Sequence, residues 1–176
     1  MNGNDLNQAK EMFWQFACMH FYMWNDGVIE DYKKYGASPA QEEIWRQEYI
    51  AHWTKLLSVD DLTALNKLCD ARAGESLLDL IERSKGGDHY SKLMYANAIW
   101  NLAGEDRCPN EYSKRGKDAA LALWKELSSA TIQMTPEHQY KVRCQATMWS
   151  REAKTPEECI QHLAQKQIAQ HGLINS

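Results

Sequence analysis

The chain has 176 residues, 44% hydrophobic and 25% charged, the make-up of one folded globular domain, and this excludes disorder through its body. A formal charge of −4 and a pI near 5.9 exclude a general nucleic-acid binder, because neutralising phosphates takes a surplus of Lys and Arg. Five cysteines (Cys18, Cys69, Cys108, Cys144 and Cys159) are odd in number, widely spaced and without a CxxC pair, which predicts reduced thiols in a cytoplasm.

No basic leader with an apolar run and a cleavage site opens the sequence, so no secretion signal is expected. The first predicted helix runs from Asp5 to about Trp24 and contains MFWQFACMHFYMW, Met12 to Trp24, where only Gln15 and His20 are strongly polar. That block is shorter than the roughly 20 apolar residues a membrane span needs. It also lacks a basic opposite face for membrane attachment. A segment so apolar on every side must be covered by its own domain, a partner or a ligand. The expectation is a central helix wrapped by later ones, with Trp45, Trp53, Trp100 and Trp124 as neighbours; if Trp14, Phe21 or Trp24 is exposed in one contiguous patch, that patch is the binding surface, and if they are buried, function lies on the polar faces of the other helices.

A shorter helix is predicted from Val28 to Tyr35, and Ser38-Pro39-Ala40-Gln41 then supplies a cap, a first-turn proline and a third-position Gln. The helix it starts, Pro39 to Leu57, carries a stripe of Trp45, Tyr49, Trp53 and Leu56. Ser58-Val59-Asp60-Asp61 has a cap followed by acids suited to a positive helix end, predicting a helix over Val59 to Ala73 with Leu62, Leu65, Leu68 and Cys69 inward. Helices over Glu75 to Ser84, His89 to Ala103 and Glu111 to Ser128 follow, the last striped by Tyr112, Ala119, Ala120, Leu123, Trp124 and Leu127. Thr135-Pro136-Glu137 and Thr155-Pro156-Glu157-Glu158 start the segments Pro136 to Ala153 and Pro156 to His171. Gly27, Gly36, Gly74, Gly86-Gly87, Gly104 and Gly172 are candidate breaks, Gly27 the weakest. These signals predict an all-α domain over 1–176, frayed at 1–4 and 173–176. About eight mostly antiparallel helices form an irregular bundle or a short α-α superhelix.

From Glu75 to Ala103 the chain resembles one HEAT-like helical repeat. Leu77, Leu78, Leu80 and Ile81 occupy the leucine positions of the unit's first helix, Ser84 to Asp88 forms its turn with the characteristic Asp, Lys92 is the basic residue of the second helix, and Ala98-Ile99-Trp100-Asn101-Leu102-Ala103 matches its ending. A second copy does not align: laying the Trp100 helix on the Trp149 helix matches Leu93 with Val142 but opposes Ala96 and Gln145. The resemblance implies a scaffold that binds another macromolecule.

Chemical motifs fail on spacing. Glu48 and His52, like Glu158 and His162, stand four apart, whereas a di-iron bundle places Glu and His three apart with further glutamates. The two-His zinc protease helix is absent, and Arg115-Gly116-Lys117-Asp118 lacks the upstream glycine and the Ser/Thr of a phosphate loop. Cys18 and His20, two apart on a helix, would point to different sides. No catalytic residue, cofactor or metal is assigned. Acidic pairs including Glu42-Glu43 and Asp60-Asp61 read first as helix-end charges and second as a rim that steers a basic protein.

The function expected is therefore a non-catalytic intracellular protein-binding module, in its concrete form an immunity-type inhibitor of a toxin. Its candidate surface comprises Trp14, Phe21, Trp24, Glu42, Glu43, Asp60 and Asp61, and its partner is another protein, basic in character, with no nucleic acid and no membrane involved. The alternatives are a glycosylase-like DNA-binding enzyme and a bundle that binds an apolar small molecule or self-associates as a homo-oligomer through its N-terminal aromatic segment.

Overall fold

The computed structural model describes residues 3–149 and 153–171, with the side chains of 5–145 and 153–171. Gly172, residues 1–2 and 173–176 of the ends expected to fray, and residues 150–152 of the segment predicted over Pro136 to Ala153 lie outside this description, while residues 3 and 4 of the expected N-terminal fray already belong to a helix. The fold is all-α, with no strand among the described residues. Ten helices follow in order: α1 Gly3–Gln15, α2 His20–Asn25, α3 Ile29–Lys33, α4 Pro39–Lys55, α5 Thr63–Asp70, α6 Leu77–Arg83, α7 His89–Leu102, α8 Asn110–Ser129, α9 Pro136–Trp149 and α10 Pro156–His171. A 3-10 turn, Gly74–Ser76, leads into α6.

Three of the four marked helix starts behave as read. The hydroxyls of Ser38, Thr135 and Thr155 accept from the amides of Gln41, His138 and Glu158 at 3.2, 3.2 and 3.1 Å. The fourth is displaced: Ser58 accepts from the Asp60 and Asp61 amides in a turn, Asp61 Oδ1 takes the Thr63 amide at 2.9 Å, and α5 begins only at Thr63 instead of Val59. The cause lies across the core. Tyr95 Oη and Ser91 Oγ of α7 donate to the carbonyls of Ser58 and Val59 at 2.9 and 2.6 Å, engaging acceptors that an earlier helix start would need for its own first bonds.

The larger correction concerns the N-terminal segment, which is two helices and not one. Cys18 N–H reaches back to the Phe13 carbonyl at 2.8 Å and Ala17 N–H to that of Trp14 at 3.1 Å, closing α1 with a left-handed turn in which Ala17 and Cys18 have φ of 51° and 59°. The same pair of bonds recurs at the end of α2, around Gly27 (φ 74°), and at the end of α5, around Arg72 (φ 48°). Alanine in the left-handed region costs about 1–2 kcal/mol relative to the right-handed helix, so it gives no sequence cue for a break. The turn is held because both Ala17 and Cys18 are buried there.

Phe13 stacks on Tyr32 and meets Trp45 at a centroid distance of 6.3 Å, and Trp14 Nε1 donates to the Trp45 carbonyl at 2.9 Å. Trp53 is one ring further off, against Tyr49. Trp100 and Trp124 are not neighbours of this block: they pack on each other and on His171, where α7, α8 and α10 meet. One continuous cluster of buried residues nevertheless runs from Ala9 to Ala164. Arg46, 3% exposed, ties α4 to the chain after α5, through a forked ion pair with Glu75 and bonds to the Ala71 and Arg72 carbonyls.

Gly116, inside α8, accounts for the glycine of the Arg115-Gly116-Lys117-Asp118 stretch: a Cβ there would lie 2.7 Å from Leu77 Cδ2 and 2.9 Å from the Ala103 Cβ. It is a packing glycine that lets α8 approach α6 and the end of α7. Gly116→Ala should therefore destabilise the fold by about 1 kcal/mol or more in urea unfolding, because overpacking of about 1–3 kcal/mol outweighs the gain in helix propensity. An exposed control, Gly104→Ala, has only ordinary contact to meet and should not show this overpacking loss.

Candidate interaction surface

Helix α2 is six residues long and is pinned between two left-handed turns. Met23 plugs it into the core, while Phe21 and Trp24, three apart and so on one face, are 56% and 68% exposed. Its base is fixed from below. Glu42 Oε1 accepts from Tyr32 Oη at 2.8 Å and contacts His20 Nε2 at 3.0 Å, and the rings of Phe13, His20 and Tyr32 lie 5.6–5.8 Å apart. Burial and the Glu42 carboxylate both push the Tyr32 hydroxyl well above its ordinary pKa, which keeps it a donor.

The other residues singled out in the sequence divide. Trp14 is half-buried scaffold, packed on Tyr49 and His52 with the Lys10 ammonium 4.8 Å above its ring. Glu42 is the bracket just described. Glu43 is exposed and is held below the usual carboxylate range by a bond from Gln47 and by Arg107, 3.0 Å away. Asp61 caps Thr63, whose side-chain and backbone bonds lower its carboxyl, and Asp60 is exposed beside it. Neither belongs to the α2 face. The helix-end role thus describes Asp61, and of these singled-out residues Phe21 and Trp24 present exposed aromatic surface, as does Tyr140 on α9 elsewhere.

One feature of this region was hidden from sequence reasoning. A cleft of about 350 Å³ opens beside α2, lined by Gln15, Phe16, Ala17, Tyr22, Asp26, Lys67 and Asp70. It exists because α1 stops at Gln15, a break that no glycine or proline announced. Charge is also uneven: residues 1–88 hold nine Lys and Arg against fifteen Asp and Glu, whereas 89–176 hold eleven against nine.

Groups with chemical potential elsewhere are engaged structurally. Burial pushes the Cys18 thiol up to about 12, an effect Arg46 opposes only in part, and burial raises Cys69 to about 12 as well. A thiol must ionise to attack, so neither is an activated nucleophile. Glu48 bonds Lys10, Glu158 accepts the Lys154 amide, and no group of three His, Cys, Asp or Glu converges among the described residues. Asp88 is the most connected acid: Oδ1 takes the Ser91 amide at 3.0 Å, and Oδ2 takes the Thr135 amide at 2.8 Å and meets His138 Nδ1 at 2.7 Å. It thereby caps α7 and the start of α9 together, with the His138 ring stacked on Tyr90 at 4.6 Å. No known protein family, curated protein or solved structure matches this chain.

Burial alone would raise the Asp88 carboxyl, but the Ser91 and Thr135 amides and His138 together hold it below the ordinary range. A depressed folded pKa contributes stability that is present above the unfolded value, near 3.9, and is lost as pH falls through the folded one. The stability difference between the parent and Asp88→Asn should therefore be larger at pH 5 than at pH 3, as measured by chemical unfolding at the two values.

Proposed function

We propose that this chain is a non-catalytic protein-binding module that grips its partner with the exposed face of α2, centred on Phe21 and Trp24. The observation that carries the reading is two large rings turned outward on a helix whose own attachment uses Met23 and the Glu42 bracket instead. Exposed aromatic side chains of this size are the usual anchors of protein interfaces. Because α2 is fixed between two closed turns and a stacked aromatic base, its rings lose little further freedom on docking, which favours affinity.

The partner is a protein with a basic, partly apolar contact surface, in keeping with the acidic balance of residues 1–88. An immunity-type inhibitor that covers the active site of a basic toxin is the concrete form of this reading. It draws support from the small size, the mild acidity and the α6–α7 pair with Asp88 at the head of its second helix, the segment that resembles a HEAT-like unit.

The test begins with affinity capture on the full chain, followed by calorimetry with the purified partner. Phe21→Ala and Trp24→Ala should each weaken binding by about 30-fold or more, the loss typical of a central aromatic anchor, with no fall in thermal stability. Asp60→Asn should leave affinity unchanged. Parent-like affinity in both ring variants would refute α2 as the docking face.

A further inference from the structure

No glycine or proline stands between Gly3 and Gly27, and alanine is the best helix former, so local preference runs as one helix through Ala17 and Cys18. The fold imposes the opposite. Both residues take the left-handed backbone that a side chain disfavours, with φ of 51° and 59°. At Arg72, also left-handed, Arg46 grips the Ala71 and Arg72 carbonyls of the turn itself. The backbone bonds at the Ala17 turn run within the segment, from the Ala17, Cys18 and Met19 amides to the Trp14, Phe13 and Phe16 carbonyls. A short hinge under strain, set in a sequence that prefers to continue as helix, is the setting in which an element is exchanged between copies.

The contacts of α1 can be remade in such an exchange. This helix rests on α3 and α4. Phe13 stacks on Tyr32 and meets Trp45, Trp14 Nε1 donates to the Trp45 carbonyl at 2.9 Å, and the Trp14 ring meets Tyr49 edge-on at 5.5 Å. Lys10 Nζ lies 2.5 Å from a Glu48 carboxylate oxygen. Each of these joins α1 to α3 or α4, so the α1 of a second copy finds the same partners in the same seat.

We infer that two copies of this chain exchange α1: the Gln15–Met19 turn straightens, α1 and α2 run on as one helix, and each α1 docks on α3 and α4 of the other copy. The exchange keeps the docking contacts and returns two left-handed residues per chain to the right-handed helix with its regular backbone bonds. Against it stand the lost freedom of association and the burial of Ala17 and Cys18 in the closed turn. Concentration therefore sets the balance between closed monomer and exchanged dimer. The inference does not rest on α2 being the docking face.

The test refolds the full chain from urea under reducing conditions at low and at high concentration, and sizes the products by gel filtration with light scattering. Mixing ¹³C-labelled and unlabelled chain before refolding then reports which chain each α1 occupies. High concentration should yield a dimer that returns slowly to monomer on dilution, with isotope-filtered NOEs between Trp14 of one chain and Tyr49 of the other. Ala17→Gly combined with Cys18→Gly eases the turn and penalises the straight helix, so it should weaken dimerisation by at least about tenfold. Ala17→Gly alone should act in the same direction, while Cys18→Ala, which removes the thiol and keeps a side chain in the turn, should dimerise like the parent. Monomer at every concentration, or glycine variants that dimerise as readily as the parent, would overturn the exchange. So would a dimer without the cross-chain Trp14–Tyr49 contact; its loss in Trp24→Ala would assign that association to the exposed rings of α2 instead.

Discussion

At Ala17 and Cys18 two consecutive non-glycine residues occupy the left-handed region, and the back-bonds to Phe13 and Trp14 close α1 there. Without that reversal the Met12 to Trp24 segment would continue as one rod, and its apolar residues would radiate on all sides. With it, the segment folds back so that Phe13, Ala17, Cys18 and Met23 enter the core while Phe21 and Trp24 leave it. The strain, about 1–2 kcal/mol per residue, is offset by the burial of the turn itself. Both the exposed rings and the neighbouring cleft follow from this one backbone choice.

The turn is stable only because its surroundings are rigid, and that rigidity comes from buried polar groups used in full. Arg46 crosses from α4 to Glu75 and two carbonyls beyond α5, which fixes the floor on which α1 and α2 rest. Removing one partner of such a pair would leave an uncompensated buried charge, a cost of about 3–5 kcal/mol. Asp88 plays a matching part further along by capping α7 and α9 at once and orienting His138. A carboxylate with three partners, an imidazole stacked on Tyr90 and thiols raised by burial are committed to holding helices together.

Against that fixed frame, the surface of α2 stands out for what it leaves unsatisfied. Phe21 meets the Tyr22 ring edge-on at 5.7 Å but, like Trp24, keeps most of its own ring in solvent, and the acids at the adjoining helix ends oppose the dipoles they sit on.

Local signals in the sequence determined the helices whose starts are written in adjacent residues. A hydroxyl, a proline and an acid suffice to begin α4, α9 and α10, because capping is a contact between a side chain and an amide three positions on. The stripe of α8 was legible for the same reason, as was the all-helical class, whereas the α4 stripe held for Trp45, Tyr49 and Trp53 and failed at Leu56, which lies past the end of the helix and is 50% exposed. The outward position of Phe21 and Trp24 was readable only as a conditional. Tertiary structure alone decided the rest. Carbonyls of Ser58 and Val59 claimed by α7 delayed α5, an alanine forced left-handed by burial split the first helix, and Trp100 and Trp124 went to a different layer from the block they were expected to cover. In each case the deciding partner lies many residues away in the chain. Periodicity records which face of a segment is apolar, but the choice of what covers that face, or of leaving it open, is made by contacts that no local pattern encodes.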